Sequence, residues 1–209
     1  MKRIDATRAC ADLATSQRGF FTAAQARSVG VDKLALSRLC TACQVERVGH
    51  GIYRAAGVPG FREEALYATW LGLMPEVPSY QRPKDETDFV VSHATAAWLH
   101  GLGEVNPEPF TFTHSSRHQT RSSQMRFVRS VLGPQDVTIV AGMPATTIAR
   151  TVLDLLSDGE DLSLVASVFS DALRVDPSFA DESFIARMDA FAVKYGFKKG
   201  FSICEYLRK

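Results

Sequence analysis

The sequence of 209 residues has few cysteines and lacks any long apolar run. Its four cysteines, Cys10, Cys40, Cys43 and Cys204, are irregularly spaced, which argues against a disulfide framework. A membrane-spanning helix would need an apolar run of about eighteen residues, and the sequence contains none. Residues 1–14 also lack the apolar stretch that is typical of a signal peptide. We therefore expect a cytoplasmic protein with reduced thiols.

Motifs that mark common catalytic and cofactor sites are also missing. The sequence contains no P-loop, no G-x-G-x-x-G segment and no G-x-S-x-G elbow. Cys40-x-x-Cys43 supplies only two of the four ligands of a structural zinc site, and both thiols are expected to be buried on an apolar helix face. His93 and His100 lack a carboxylate or cysteine partner. The sequence thus predicts a protein without catalytic residues, metal ligands or a cofactor.

Charge is unevenly distributed along the chain, although the net charge is only +1. Residues 1–60 carry nine Lys/Arg and four Asp/Glu, whereas residues 130–192 carry three Lys/Arg and ten Asp/Glu. The last seventeen residues are basic again, with five Lys/Arg and one Glu. A basic segment attracts a polyanion, and an acidic one is repelled by it. The pattern therefore indicates two parts with two tasks.

A cluster of glycine and proline, Gly57 to Gly60, interrupts the pattern and predicts two domains, 1–60 and 61–209. Further along, the sequence predicts helices over 61–74, 94–102 and 146–157 and strands near 89–92, 110–113, 125–132 and 137–140. From Asp161 onward the pattern is mainly helical. Strands and helices do not alternate strictly, which predicts an α+β chain whose larger domain is mixed α/β.

The segment from Gly19 to Gly57 has the clearest local signals. Thr22 and Gln25 have the spacing of a capping box, which predicts a helix over residues 23–29. Gly30 follows and ends this helix, because glycine accepts a left-handed backbone.

A second helix is predicted directly after Asp32, which is a good N-cap. Its apolar face carries Leu36, Leu39, Cys40 and Cys43. Its opposite face carries Leu34, Ser37, Arg38, Thr41 and Gln44. Two short helices joined by a glycine-containing turn are typical of a helix-turn-helix, whose second helix reads base edges in the major groove.

Two β-prone runs, 45–48 and 52–54, flank Gly49-His50-Gly51 and predict a hairpin. A hairpin after a recognition helix is a wing, so the sequence predicts a winged helix-turn-helix that binds double-stranded DNA. The candidates for base contacts are Ser37, Arg38, Thr41 and Gln44. The candidates for phosphate or minor-groove contacts are Lys33, Arg47, His50 and Arg54.

Three segments resemble the AbiEi family of antitoxins from abortive-infection and toxin–antitoxin loci. They are "GFFTAAQARSVGVDKLALSRLCTACQVERVGHGIYRAAG", "VVSHATAAWLHGL" and "PATTIARTVLDLL". The resemblance covers residues 19–157 in order and spacing. It implies that the N-terminal domain represses its own operon by binding promoter repeats. It also implies that the C-terminal domain counteracts a co-encoded nucleotidyltransferase-like toxin, directly or indirectly.

Two alternatives stay open at this point. The last two segments also resemble helix-turn-helix proteins that end in a metal-dependent nuclease domain, but this chain has no Asp/Glu-x-Lys motif in a strand context. A winged helix that does not bind DNA would instead serve as a protein-interaction module.

Three features of the larger domain have more local interpretations. Ser92 is expected to cap the helix that follows it. Arg150 and Asp154, four residues apart, form either a surface salt bridge or an anchor to a neighbouring element. The acid-free stretch 113–129 contains Arg117, Arg121, Arg126 and Arg129. It is either a solvated hairpin or a second basic surface for DNA phosphates or an acidic partner.

Overall fold

The computed structural model describes residues 3–208, which form two compact units that divide between Pro83 and Lys84. Each unit contains helices and a sheet, and the second is the larger, so the chain is α+β with a mixed α/β second part, as predicted. The division falls later in the chain than the predicted boundary after residue 60, for a reason given below.

The N-terminal unit combines helices with a three-stranded sheet. In chain order its elements are α1 (Arg3–Thr15), β1 (Phe20–Thr22), α2 (Ala23–Ser28), α3 (Lys33–Thr41), β2 (Val45–Gly49), β3 (Ile52–Ala55) and α4 (Glu64–Leu73). The strand order is β1-β3-β2, and β3 is antiparallel to both neighbours. This is a winged helix-turn-helix in which α2 and α3 form the helix pair and β2 and β3 form the wing.

Local capping signals set the ends of the helix pair. The Gln25 backbone N–H donates to Thr22 Oγ1, and the Thr22 backbone N–H donates to Gln25 Oε1, both at 3.0 Å. Gly30 has a φ of +84°, the left-handed conformation that glycine adopts without strain. Asp32 Oδ1 accepts a hydrogen bond of 2.7 Å from the Ala35 backbone N–H and caps α3.

Helix α3 ends at Thr41, which corrects the expectation for one cysteine. Leu36 and Leu39 are buried and Cys40 is half-buried, as the apolar face requires. Cys43 lies beyond the helix at a φ of +53° and is exposed, so it is not part of that face.

The core of this unit joins the sheet to the helix pair. Phe21 of β1 is fully buried and stacks on Tyr53 of β3 with ring centroids 5.6 Å apart. Leu36, Leu39 and Val45 are buried in the same cluster. These contacts hold the buried face of α3 in the core, and the opposite face of α3 is exposed to solvent.

Helix α4 explains why the first unit extends to Pro83. Its Leu66 and Trp70 side chains are fully buried, and Tyr67 packs edge-on against Phe20 of β1 at 5.8 Å. The following segment is also held, because Gln25 Nε2 donates to the Val77 carbonyl oxygen at 3.1 Å. The sequence break at Gly57 to Gly60 is therefore a turn within the unit.

The C-terminal unit is built around a five-stranded mixed sheet. Its strands are β4 (Val90–Val91), β5 (Phe110–His114), β6 (Met125–Arg129), β7 (Val137–Val140) and β8 (Met143–Thr146). Its α-helices are α5 (His93–His100), α6 (Ile148–Asp158), α7 (Leu162–Val175), α8 (Glu182–Asp189) and α9 (Ile203–Leu207). The strand order is β6-β5-β4-β8-β7, with the β5–β6 and β4–β8 pairs parallel.

The helices of this unit share one apolar core. Val152 and Leu155 of α6 are fully buried, as are Val168 and Phe169 of α7. They lie in a cluster that also takes in residues of α5, α8 and α9. Within residues 3–208, no helix has the length and apolar character needed to cross a membrane.

Candidate nucleic-acid interface

The outward face of α3 is polar and open to solvent. Ser37, Arg38 and Thr41 are all exposed on the side opposite the buried leucines. Within residues 3–208, the Arg38 side chain has neither a hydrogen-bond partner nor an ion-pair partner. The Thr41 hydroxyl donates back to the Ser37 carbonyl oxygen at 3.1 Å and keeps its lone pairs available. This face presents the guanidinium and hydroxyl groups that read base edges.

Gln44 lies in a different position from the one predicted. It follows the end of α3 and is half-buried, and its Oε1 accepts a hydrogen bond of 2.9 Å from the Thr7 hydroxyl of α1. Its backbone oxygen accepts from the Ala56 N–H at 3.1 Å. Gln44 therefore links α1 to the base of the wing, and its side-chain oxygen is already engaged by Thr7.

The wing carries two exposed basic residues near its tip. Arg47 and His50 are both exposed, and Arg47 Nε donates to the Gly49 carbonyl oxygen at 3.2 Å. The β2–β3 pairing shifts register between Arg47 and Gly49, and Gly51 turns the chain at a φ of +72°. The predicted hairpin is present, with these two side chains free to reach outward.

Arg54 lies on the second strand of the wing, as predicted, but its guanidinium is paired with carboxylates. Its guanidinium donates to Glu64 of α4 at 2.8 Å and to Glu46 of β2 at 2.6 Å. The hydrogen bond to Glu46 raises the pKa of Arg54 further. A cation held by two carboxylates has little charge left for a phosphate, so Arg54 is a structural residue of the wing.

A groove of about 280 Å³ lies between the helix pair and the wing. Its basic side chains are Arg27, Lys33, Arg47 and His50, and no carboxylate from residues 3–208 lines it. Its floor is apolar, formed by Val31, Leu36 and Tyr53 among others. Arg27, in the last turn of α2, was missed by sequence reasoning because its charge shows in the sequence but its nearness to the wing does not. Convergent cations around a small groove suit a backbone phosphate.

The cysteines near the helix pair are poor candidates for metal binding or redox chemistry. Burial, assisted by the neighbouring Cys40, raises the pKa of Cys10 to about 11. Burial likewise raises the pKa of Cys40. Both groups therefore remain neutral thiols, which are weak ligands and weak nucleophiles. In the part of the chain from 3 to 208, no group of three or more His, Cys, Asp or Glu side chains is placed to hold a metal ion.

A buried polar cluster in the C-terminal unit joins strands to helices. Ser92 precedes α5, but its hydroxyl does not cap the helix as expected; it accepts from Thr113 at 2.8 Å and contacts His93 Nδ1 at 2.9 Å. His93 is buried at a φ of +57°. Burial lowers the pKa of His93 and raises the pKa of Asp154. Burial thus favours the neutral form of both side chains.

Of the two roles predicted for Arg150, a surface salt bridge or an anchor to a neighbouring element, the structure shows the anchor. It donates to Asp154 at 2.7 Å, to Asp136 at 3.0 Å and to the Ser130 hydroxyl at 3.2 Å. Its side chain is only 15% exposed, so it does not form a surface salt bridge. Arg150 anchors α6 to the segment that precedes β7.

Comparison with known proteins supports the interpretation of the N-terminal unit. Residues 9–56 match the family model described as "Transcriptional regulator, AbiEi antitoxin". The matched span runs from α1 to the end of the wing, and it confirms the resemblance that the sequence indicated in this region.

Two further comparisons complete this picture. A crystal structure of the RV2827C protein from Mycobacterium tuberculosis is similar, with 14% identity and a TM-score of 0.49, over 91% of this chain and 81% of that one. No curated protein matches the chain.

Proposed function

We propose that this protein is a DNA-binding transcriptional regulator of the antitoxin type. The observation that carries the proposal is the exposed polar face of α3, next to a groove whose charged side chains are all basic. The family match over residues 9–56 supports the same assignment. In this proposal the protein acts in the cytoplasm, binds repeats in its own promoter and represses its operon.

The side chains divide into two tasks. Ser37, Arg38 and Thr41 contact base edges in the major groove, because they occupy the open face of α3. The phosphate contacts come from the basic groove residues, Arg27, Lys33, Arg47 and His50. Gln44 and Arg54 are left out, since each already has partners within the N-terminal unit.

The C-terminal unit has a second task in this proposal, which is to counteract a co-encoded nucleotidyltransferase-like toxin. The resemblance of two of its segments to AbiEi antitoxins supports this task. Several of its polar side chains are bonded across strands and helices, as Thr113 is to Ser92 and Arg150 is to Asp136, which supports a structural role for these groups. We therefore propose a regulator without catalytic activity of its own.

The test is a titration of the full-length protein with labelled duplex DNA from upstream of its own gene. We expect Arg38→Ala to weaken specific binding by about 1–3 kcal/mol, the usual cost of losing a base contact. Arg174→Ala is the matched control, because Arg174 is an exposed arginine of α7 with an ion-pair partner, Asp171. Unchanged affinity in Arg38→Ala would remove α3 from the interface. Duplex cleavage in the presence of Mg²⁺ would contradict the regulator in favour of a nuclease.

A further inference from the structure

The loop between β5 and β6 concentrates positive charge. The two strands are parallel neighbours, so residues 115–124 must cross from the end of one to the start of the other. No Asp or Glu occurs from Phe110 to Gln135, a stretch that contains Arg117, Arg121, Arg126 and Arg129. The proposed duplex-binding surface of the N-terminal unit does not account for this segment.

Only one of these four arginines is tied to a carboxylate. Arg126 Nη2 donates to Asp158 Oδ1 at 2.6 Å, and this bond attaches β6 to α6. The other three, Arg117, Arg121 and Arg129, are exposed. Within residues 3–208, their side chains have no hydrogen-bond or ion-pair partner. Three unpaired cations on a short segment leave a local charge that a bound anion would balance.

Aromatic rings fix the base of the loop. Phe89 is buried and stacks on His114 at 4.7 Å, while His118 lies against its edge at 4.7 Å. The Ser116 backbone N–H donates to His114 Nδ1 at 3.0 Å, so that nitrogen is an acceptor. His118 Nε2 lies 3.1 Å from the same nitrogen and must be the donor. These contacts tie the start of the loop to Phe89.

A pocket of about 480 Å³ opens beside this cluster. Its lining residues are His118, Gln119, Thr120, Arg121 and Phe127. The pocket is open to solvent, so a bound ligand would keep one side exposed. The lining offers two aromatic rings, an amide, a hydroxyl and a guanidinium. These are the groups that bind a flat heterocycle and an attached phosphate.

We propose that this pocket binds a nucleotide unit. The base packs against Phe127 and His118, Gln119 hydrogen-bonds the base edge, and Arg121 holds the phosphate. The unit comes either from a free mononucleotide or from an unpaired residue of a single-stranded nucleic acid, which present the same chemistry. Duplex DNA fits less well, because its bases are stacked on each other and offer no face to an aromatic ring. An acidic peptide would pair its carboxylates with the arginines, but those carboxylates would not pack against the aromatic rings of the lining.

The experiment uses the full-length protein and two kinds of probe. The four ribonucleoside 5′-monophosphates are titrated by calorimetry, and a fluorescein-labelled single-stranded hexanucleotide is titrated by anisotropy. We expect saturable binding of at least one probe, weakened about tenfold or more by Arg121→Ala and by Phe127→Leu. Arg174→Ala serves as the control and should leave this binding unchanged, because Arg174 lies on α7, outside the loop and outside the proposed duplex-binding surface. The probe that binds identifies the source of the nucleotide.

Because Phe127 also packs near Phe89 and Phe112, Phe127→Leu risks a folding defect. His118→Ala is therefore a second variant at an exposed ring, with a thermal melt as the folding check. The absence of saturable binding by any probe would overturn the proposal. Equally tight binding of inorganic phosphate alone would overturn it too, since no base would be recognised. If Arg121→Ala weakened the binding of promoter duplex alone, the loop would be a second duplex contact instead of a nucleotide site. That outcome would not change the result expected for Arg38→Ala with promoter duplex.

Discussion

Arg54 of β3 donates from Nη1 to both carboxylate oxygens of Glu64 on α4, each at 2.8 Å. Its Nη2 reaches Glu46 of β2 at 2.6 Å. One guanidinium thus ties the wing to the helix that follows it. Arg47, two residues from the wing tip, has a single side-chain bond within residues 3–208, to the Gly49 carbonyl oxygen. We therefore expect different tasks for the two arginines of the wing, although the sequence suggests one.

We predict that alanine substitutions separate these tasks. Arg54→Ala should lower the free energy of unfolding by about 1 kcal/mol, because it breaks a half-exposed ion-pair network. Arg47→Ala should change that free energy by less than about 0.5 kcal/mol. It should instead weaken binding to all duplexes. It should also reduce the slope of log affinity against log salt concentration by about the amount that one phosphate contact contributes. The measurements are urea unfolding and duplex titration from about 50 to about 200 mM salt.

Glu64→Gln provides the matched check, since it removes the partner and keeps Arg54. It should reproduce part of the stability loss of Arg54→Ala, because the bond from Arg54 to Glu46 remains. If Arg54→Ala flattened the salt dependence as strongly as Arg47→Ala, Arg54 would be a phosphate contact despite its carboxylate partners.

The helix pair and the wing were predictable because their signals are local. The Thr22–Gln25 capping box, the Gly30 break and the Asp32 cap each lie within a few residues of the backbone groups that they satisfy. The same local logic failed at Gln44. Periodicity continued α3 past its real end, and only the Thr7 contact from a distant helix shows where this side chain lies.

Long-range contacts account for the other differences. Strand β1 has three residues and forms by pairing with β3, so no periodic pattern marks it. Nothing near Gly57 to Gly60 reveals that α4 returns to the sheet, because its partners lie in β1, β2 and β3. In the C-terminal unit, Ser92 has the sequence of a helix cap, but Thr113 of a neighbouring strand and His93 engage its hydroxyl. Arg27 likewise joins the basic groove only through the folded position of the wing.

A buried amide pair should be important for the stability of the N-terminal unit. Gln17 Nε2 donates to Gln25 Oε1 at 2.9 Å, and Gln25 Nε2 donates back to Gln17 Oε1 at 3.2 Å. Both side chains are almost fully buried. We predict that Gln25→Leu lowers the free energy of unfolding by about 3 kcal/mol, because it leaves buried partners such as the Val77 oxygen unsatisfied. Urea unfolding followed by circular dichroism measures the change.

Ser28→Ala is the control for that prediction, because Ser28 is an exposed residue of the same helix. It should change the free energy of unfolding by less than about 1 kcal/mol. A loss of similar size in both variants would mean that the amide pair has no special part in the stability of this unit.

His100 should make the stability of the C-terminal unit depend on pH. Its Nε2 donates to the Thr146 carbonyl oxygen at 2.7 Å, and burial lowers its pKa despite that bond. Between the lowered folded pKa and the ordinary value of about 6.5, the unfolded chain binds more protons than the folded one. Stability from this group is therefore full above about pH 6.5 and is lost as the pH falls.

We predict that the free energy of unfolding decreases between about pH 7.5 and about pH 5.5, and decreases less in His100→Gln. Glutamine keeps a donor for the Thr146 oxygen but does not titrate. His93 contributes in the same direction, because burial also lowers its pKa. Asp154 contributes in the opposite direction, because burial raises its pKa. Both contributions are present in wild type and in His100→Gln, so they cancel when the two proteins are compared. An identical pH slope in both proteins would contradict the prediction.

The last prediction concerns where the chain can be cut. The contacts of α4 place the boundary between Pro83 and Lys84, so residues 84–209 should fold alone and residues 1–83 should keep duplex binding. Residues 1–60 should not fold stably, because they lose the fully buried Leu66 and Trp70 side chains that cover the small sheet. Each fragment is purified and its unfolding in urea is followed. The 84–209 fragment should show one cooperative transition and no specific promoter binding.

If the antitoxin proposal is right, this fragment should also restore colony survival when it is expressed with the neighbouring nucleotidyltransferase-like toxin. A stable 1–60 fragment would return the boundary to Gly60, and a folded 84–209 fragment without protection would mean that neutralisation requires the DNA-binding unit.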